Sequence, residues 1–91
     1  MKTTEELSIL AEADNIVNNR TRGYESAEES FVSISAIASA IRRKEITPRD
    51  VTAVLLALKL SREKYSHKRD NLVDAAGYIQ LDYILAELGY E

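Results

Sequence analysis

The chain has no cysteine, no tryptophan, one histidine, one proline and three glycines among 91 residues. Without cysteine there is no disulfide framework, no thiol nucleophile and no Cys-based zinc site, and a reducing compartment suits the chain. No apolar run approaches the ~20 residues of a membrane-spanning helix. Met1 to Ala13 mixes charged and apolar residues and lacks the apolar core of a signal peptide. A soluble, cytoplasmic protein with no membrane partner is therefore expected. The scarcity of Gly and Pro leaves few break points, and no segment alternates apolar and polar residues as a strand would.

Positive charge is also in short supply. Twelve Lys and Arg face fifteen Asp and Glu, for a net charge of −3. General nucleic-acid binding is not favoured, because the phosphate backbone rewards a basic surface. The cations that exist are grouped: Arg20 with Arg22, then Arg42, Arg43 and Lys44, then Lys59, Arg62, Lys64, Lys68 and Arg69. Such groups can be solvated helix ends, or they can meet a small anionic ligand.

What remains is ordinary globular composition, 45% hydrophobic and 30% charged. The length suits one all-α domain over residues 1–91. So short a chain builds a thin core, and a homo-oligomer is the natural supplement.

Helix signals divide the chain into a compact bundle of about four helices. Thr3 with Glu6 reads as a capping box, followed by Leu7, Leu10, Ala13 and Val17 at helical spacing and a stop near Asn18 or Asn19. Arg20 to Tyr24 is a loop in which Gly23 can take positive φ. Ser26 with Glu29 opens a second helix whose inward stripe is Phe31, Ile34, Ala38 and Ile41. Thr47-Pro48-Arg49-Asp50 is the strongest start signal: Thr caps, Pro loses nothing at the first helical position, and Asp completes the first turn. Val51, Val54, Leu55, Leu58 and Tyr65 form the expected inward stripe of the third helix. Ser66 to Arg69 is a polar break, and a fourth helix runs from about Asp70 to Leu88, stopped by Gly89.

The pattern breaks in one region. On a helical wheel Arg62 falls among Val51, Leu55 and Leu58, with Lys59 at the stripe's border. A buried Arg needs a partner, and the fourth helix offers Asp70 and Asp74. Asp74 shares a side with Gly77, Tyr78, Leu81 and Leu85, while Leu72, Ala76, Ile79 and Tyr83 form a second apolar side. One side is expected to meet the chain's own core and the other a second subunit. Gly77, poor in a helix by ~1 kcal/mol relative to Ala, implies close approach of another helix or a ligand. Lys59, Arg62, Asp70, Asn71, Asp74 and Tyr78 thus form one polar constellation in an apolar setting. It can be a buried ion-pair network or a pocket for a phosphate-bearing ligand. His67, the only histidine, lies in the polar turn and is expected to be exposed.

Read in order, Arg20-x-x-x-Tyr24, Phe31, Ile46-Thr-Pro-Arg-Asp50-Val51, Lys59-Leu-Ser-Arg62 and Asp70-Asn-Leu-Val-Asp74-Ala-Ala-Gly77-Tyr78 resemble a family of small tailed-phage proteins of unknown function, over about residues 7 to 85. The last two motifs also resemble phage nucleotide-modification-associated domains and, more distantly, MazG-like all-α nucleoside triphosphate pyrophosphohydrolases. Those enzymes hold Mg²⁺ with acidic pairs from two helices. Here the second pair falls on Asn71 and Asp74, and around Glu28 and Glu29 the first pair lacks its third acid. The resemblance implies an all-α oligomer with a nucleotide-sized pocket more than it implies an enzyme.

Three readings follow. The chain is a phage protein, in the cytoplasm of an infected bacterium, that sequesters a nucleotide-derived ligand such as a host anti-phage immune second messenger. Arg20, Arg22, Lys59 and Arg62 then hold phosphates, Asp70, Asn71 and Asp74 meet ribose or base, and Tyr24 or Tyr78 stacks. Alternatively it is a MazG-like hydrolase with Mg²⁺ on Asp70, Asp74 and one of Glu28 or Glu29, or a structural, partner-binding protein. No cofactor is expected outside the hydrolase reading.

Overall fold

The computed structural model describes residues 8–18 and 26–91. The Thr3–Glu6 cap, Arg20, Arg22, Gly23 and Tyr24 lie outside the described residues. Within them the chain is entirely helical, with four helices and no strand.

The first three helices each begin where a short polar side chain replaces the missing intrahelical partner of the first amides, whereas α4 opens at Lys68 without a side-chain cap. The Ser8 hydroxyl accepts from the Ala11 amide at 3.0 Å, at the start of α1 (Ile9–Asn18). Ser26 accepts from the Glu29 amide at 3.2 Å and opens α2 (Ala27–Arg42). Thr47 and Asp50 form the full reciprocal box, with Pro48 first in α3 (Pro48–Tyr65): Asp50 N to Thr47 Oγ1 is 3.0 Å and Thr47 N to Asp50 Oδ2 is 2.9 Å. The last helix, α4 (Arg69–Glu87), is followed by Gly89 at φ +93°. The α2–α3 turn is fixed by Ser39, whose hydroxyl accepts from the Ile46 amide at 2.8 Å and lies 3.1 Å from the Ile46 carbonyl.

α4 is the central helix. Its buried residues Asn71, Val73, Ala75, Gly77, Leu81 and Leu85 occupy an arc of roughly 200° at about 100° per residue. So wide an arc needs more than one neighbour: α3 and α1 pack on α4, while α2 rests mainly on α3. Phe31, Val51, Leu81 and Leu85 form the core, with Val17, Leu55 and Tyr78 packed against it. The molecule measures 49 × 32 × 24 Å.

Two inward stripes are narrower than their periodicity suggests. Phe31 is buried, but Ile34 and Ile41 are exposed; Val51 is buried and Leu55 half-buried, but Val54, Leu58 and Tyr65 are exposed. Only the part of each stripe that meets a neighbouring helix is covered, and the other flank stays in solvent. Conversely, Thr52, a polar residue outside the apolar stripe, is 1% exposed. Its hydroxyl lies 2.8 Å from both the Arg49 carbonyl and Asp82 Oδ1. Arg49 grips the same carboxylate with two bonds, at 3.0 and 2.9 Å, and this fork joins the start of α3 to α4. The Arg49 guanidinium holds the Asp82 carboxyl below its ordinary range, and Asp82 raises Arg49 in turn.

Gly77 is explained by α1. A Cβ built there would lie 3.7 Å from Val17 Cγ2, ordinary contact distance. The close approach inferred from the sequence is therefore made by the chain's own first helix. Gly77→Ala should fold normally and gain up to ~1 kcal/mol of helix propensity. Gly77→Leu must push α1 away and should cost roughly 1–3 kcal/mol. Urea unfolding of the two variants checks this; equal stability would mean that α1 does not lie over Gly77.

Candidate functional cleft

The C-terminal half of α3, the turn at 66–68 and the first turns of α4 enclose a cleft of ≈ 640 Å³. Five of the residues singled out from the sequence line it: Lys59 and Arg62 from α3, and Asp70, Asn71 and Asp74 from α4. They meet because a short turn folds α4 back along α3, so the last turns of one helix face the first turns of the next.

The turn is built as a rigid hub around Glu63. Its carboxylate accepts from the Lys68 amide at 3.0 Å and from Asn71 Nδ2 at 3.2 Å, and it bonds to His67 Nδ1. The His67 bond, followed by the Lys68 amide, holds the Glu63 carboxyl below its ordinary value. Asn71 is buried and also reaches the Ser66 carbonyl at 3.4 Å. Asn71 is thus a structural tie at the cleft floor. His67 is exposed, as its polar setting implies.

The ion pairing differs from the sequence expectation. Arg62 is not buried on the apolar stripe; it is exposed, because the wheel position it occupies continues past the part of α3 that other helices cover. The partner of Asp74 is Lys59, at 2.8 Å, with side chains 16% and 37% exposed respectively. Arg62 and Lys68 bond to no carboxylate among the described residues. The cleft therefore carries three cations, Lys59, Arg62 and Lys68, against two carboxylates, Asp70 and Asp74. It is locally positive by one charge in a chain whose total is −3.

Tyr78 does not join this constellation. Its ring packs on Phe31 with centroids 6.2 Å apart, and it lines a smaller apolar cavity of ≈ 190 Å³ between α1, α2 and α4. Asp74 stands between the two spaces and borders both. The aromatic residue of the charged cleft is Tyr65, which is 93% exposed. Sequence reasoning assigned Tyr65 to the core. The signal that could have placed it correctly is its position at the last helical residue, one turn beyond the exposed Arg62. Lys68, Ser61 and Ser66 were likewise missed as cleft residues. Arg20, Arg22 and Tyr24 lie outside the described residues.

The acidic positions matched to the hydrolase pattern stand apart. Glu28 and Glu29 line a separate groove with Leu88 and Tyr90. Leu88 lies about 20 Å along the helix axis from Asp74, counted at 1.5 Å per residue. Among the described residues no three His, Asp or Glu side chains converge as a metal site would require. No helix among them is long and apolar enough to cross a membrane.

Comparison with known proteins gives a family. Residues 8–86 match the family described as a domain of unknown function, DUF6378. The chain is 36% identical over 75 residues to the Gene 55 protein of Mycobacterium phage L5, covering 79% of this chain and 48% of that protein. It is 34% identical over 73 residues to the Gene 55 protein of Mycobacterium phage D29, covering 78% and 48%. It thus spans about half the length of these curated relatives. No solved structure matches the chain. The matched region runs from α1 through α4 and includes every described residue of the charged cleft; the chain has relatives among mycobacteriophage proteins and belongs to the DUF6378 family.

Proposed function

We propose that the chain is a binding module for a nucleotide-derived, phosphate-bearing ligand, held in the cleft between α3 and α4. The observation that carries this reading is the pair of exposed cations, Arg62 and Lys68, with an exposed Tyr65 beside them, around one cleft of an acidic protein. Its volume of ≈ 640 Å³ falls in the ~300–1,000 Å³ range of small-molecule sites. Arg62 offers a planar fork suited to phosphate oxygens and Lys68 a mobile point charge. Asp70 accepts from ribose hydroxyls or base amines. Tyr65 supplies a flat face for a base. Lys59, engaged by Asp74, can add a third phosphate contact when an anion competes for it. In a phage-infected bacterium such a module would withdraw a signalling nucleotide from the host's immune response.

Mass spectrometry of small molecules released by heating tests the reading. The chain is purified from a lysate of bacteria with an activated defence system, and the released pool is compared with and without added Mg²⁺. A nucleotide recovered chemically unchanged in both arms supports binding. Turnover that appears only with Mg²⁺ or Mn²⁺ would instead support a MazG-like hydrolase. A chain that releases no phosphate-bearing molecule would overturn the proposal and favour a partner-binding role.

A further inference from the structure

From Ser30 to Ile41, twelve consecutive residues of α2, there is no charged side chain. Phe31 and Ser35 of this stretch point into the core and are buried. The adjoining flank carries Ile34, Ile37 and Ile41, exposed by 42%, 59% and 73%. They recur at three- and four-residue spacing, so they form one continuous ridge. On the neighbouring α3, Val54 and Leu58 are also exposed. Summed over the two helices, these five side chains leave on the order of 500 Å² of apolar surface in solvent. With the small Ser33, Ala36 and Ala40 alongside, the face approaches the ~800 Å² that each partner gives to a standard interface.

We propose that this face of α2 is a twofold interface with a second copy of the same chain. Two physical arguments select that occupant. Near a twofold axis each residue meets its own counterpart, so any charge there would face an identical charge. A helix face free of charge over three turns meets that requirement, whereas recognition of a different protein usually draws on complementary charge. The thin core favours the same occupant: among the described residues the large side chains below 2% exposure are Leu85 and Thr52, so the fold gains from covering this face, and a second copy brings a matching apolar area with it. Ser33, Ala36 and Ala40 add no bulk, and they let the paired α2 helices approach closely. This places the contact on α2, not on the α3–α4 side that the apolar pattern of α4 suggests. Leu72 and Ala76 of that side are already half-buried within the protomer, and its open part is reduced to Ile79 and Tyr83, each 58% exposed.

The absence of cysteine makes the test direct, because a single introduced thiol can cross-link only to another copy. Light scattering of the unmodified chain at micromolar concentration should give twice the monomer mass. Under mild oxidation Ile37→Cys should convert to a covalent dimer, while Ile79→Cys on α4 should not. Ile37→Glu should be a monomer that keeps its helical circular dichroism; if this variant fails to fold, the cysteine pair still decides. An unmodified chain that scatters as a monomer overturns the proposal, as does a dimer cross-linked through Ile79→Cys and not through Ile37→Cys.

Discussion

Leu85→Ala should come close to unfolding this protein. Leu85 is 0% exposed, contributed by the central helix, and it contacts the cluster of Phe31, Val51 and Leu81. Truncating a fully buried Leu costs roughly 3–5 kcal/mol, from lost transfer energy and from the cavity left behind. Small domains are stable by about 5 kcal/mol at the low end of the usual range, so one substitution removes most of the reserve. The exposed aliphatic residues give the contrast. Val54→Ala removes two carbons, against three at Leu85, from a side chain that is 67% exposed, and should cost well under 1 kcal/mol in the isolated protomer. Denaturant unfolding followed by circular dichroism separates the two. Similar losses at both positions would mean that the core is not where α4 places it.

Arg62→Ala should leave stability unchanged and sharply weaken ligand binding. Arg62 is exposed and bonds to no carboxylate among the described residues, so its loss strands no buried charge. Surface changes of that kind stay within ~0.5 kcal/mol. For a bound phosphate the guanidinium fork supplies charge-assisted bonds worth roughly 1.5–3 kcal/mol, a loss of about ten- to a hundredfold in affinity. Lys59 should behave differently. It is mostly covered and bonds to Asp74, so Lys59→Met should cost both stability, about 1 kcal/mol after allowing for the solvated side of Asp74, and affinity. Adding Asp74→Leu should return the stability without the affinity. Calorimetric titration beside thermal unfolding of the three variants resolves these outcomes. If Arg62→Ala binds as the parent does, the phosphate contact is misplaced; if it unfolds readily, Arg62 has a structural partner that the described residues do not show.

Local signals in the sequence were readable because they depend on neighbours in the chain. Ser26 and Thr47 cap α2 and α3, Pro48 opens α3, and Gly89 follows α4 at positive φ. The grouping of Lys59, Arg62, Asp70, Asn71 and Asp74 was equally readable, since a short turn brings the end of one helix to the start of the next. What depends on how far a helix is covered was not. Periodicity marks a stripe on α2 and α3 but cannot say that only half of it meets a neighbour, so Ile34, Ile41, Val54, Leu58, Arg62 and Tyr65 were all read as inward. The Arg49–Asp82 fork joins residues 33 apart, and no spacing rule reaches that distance. Thr52 shows the same limit: a hydroxyl becomes a core residue only once Asp82 is there to accept from it.

The most direct measurement is an amide chemical-shift titration of the isotope-labelled chain with ADP-ribose and, separately, a cyclic dinucleotide. Saturable shifts are expected on Lys59, Arg62, Tyr65, Lys68, Asn71 and Asp74, the two ends of α3 and α4 that face each other across the cleft. The absence of shifts at millimolar nucleotide, or shifts confined to Val17, Phe31 and Gly77 around the apolar cavity, would contradict the proposed site.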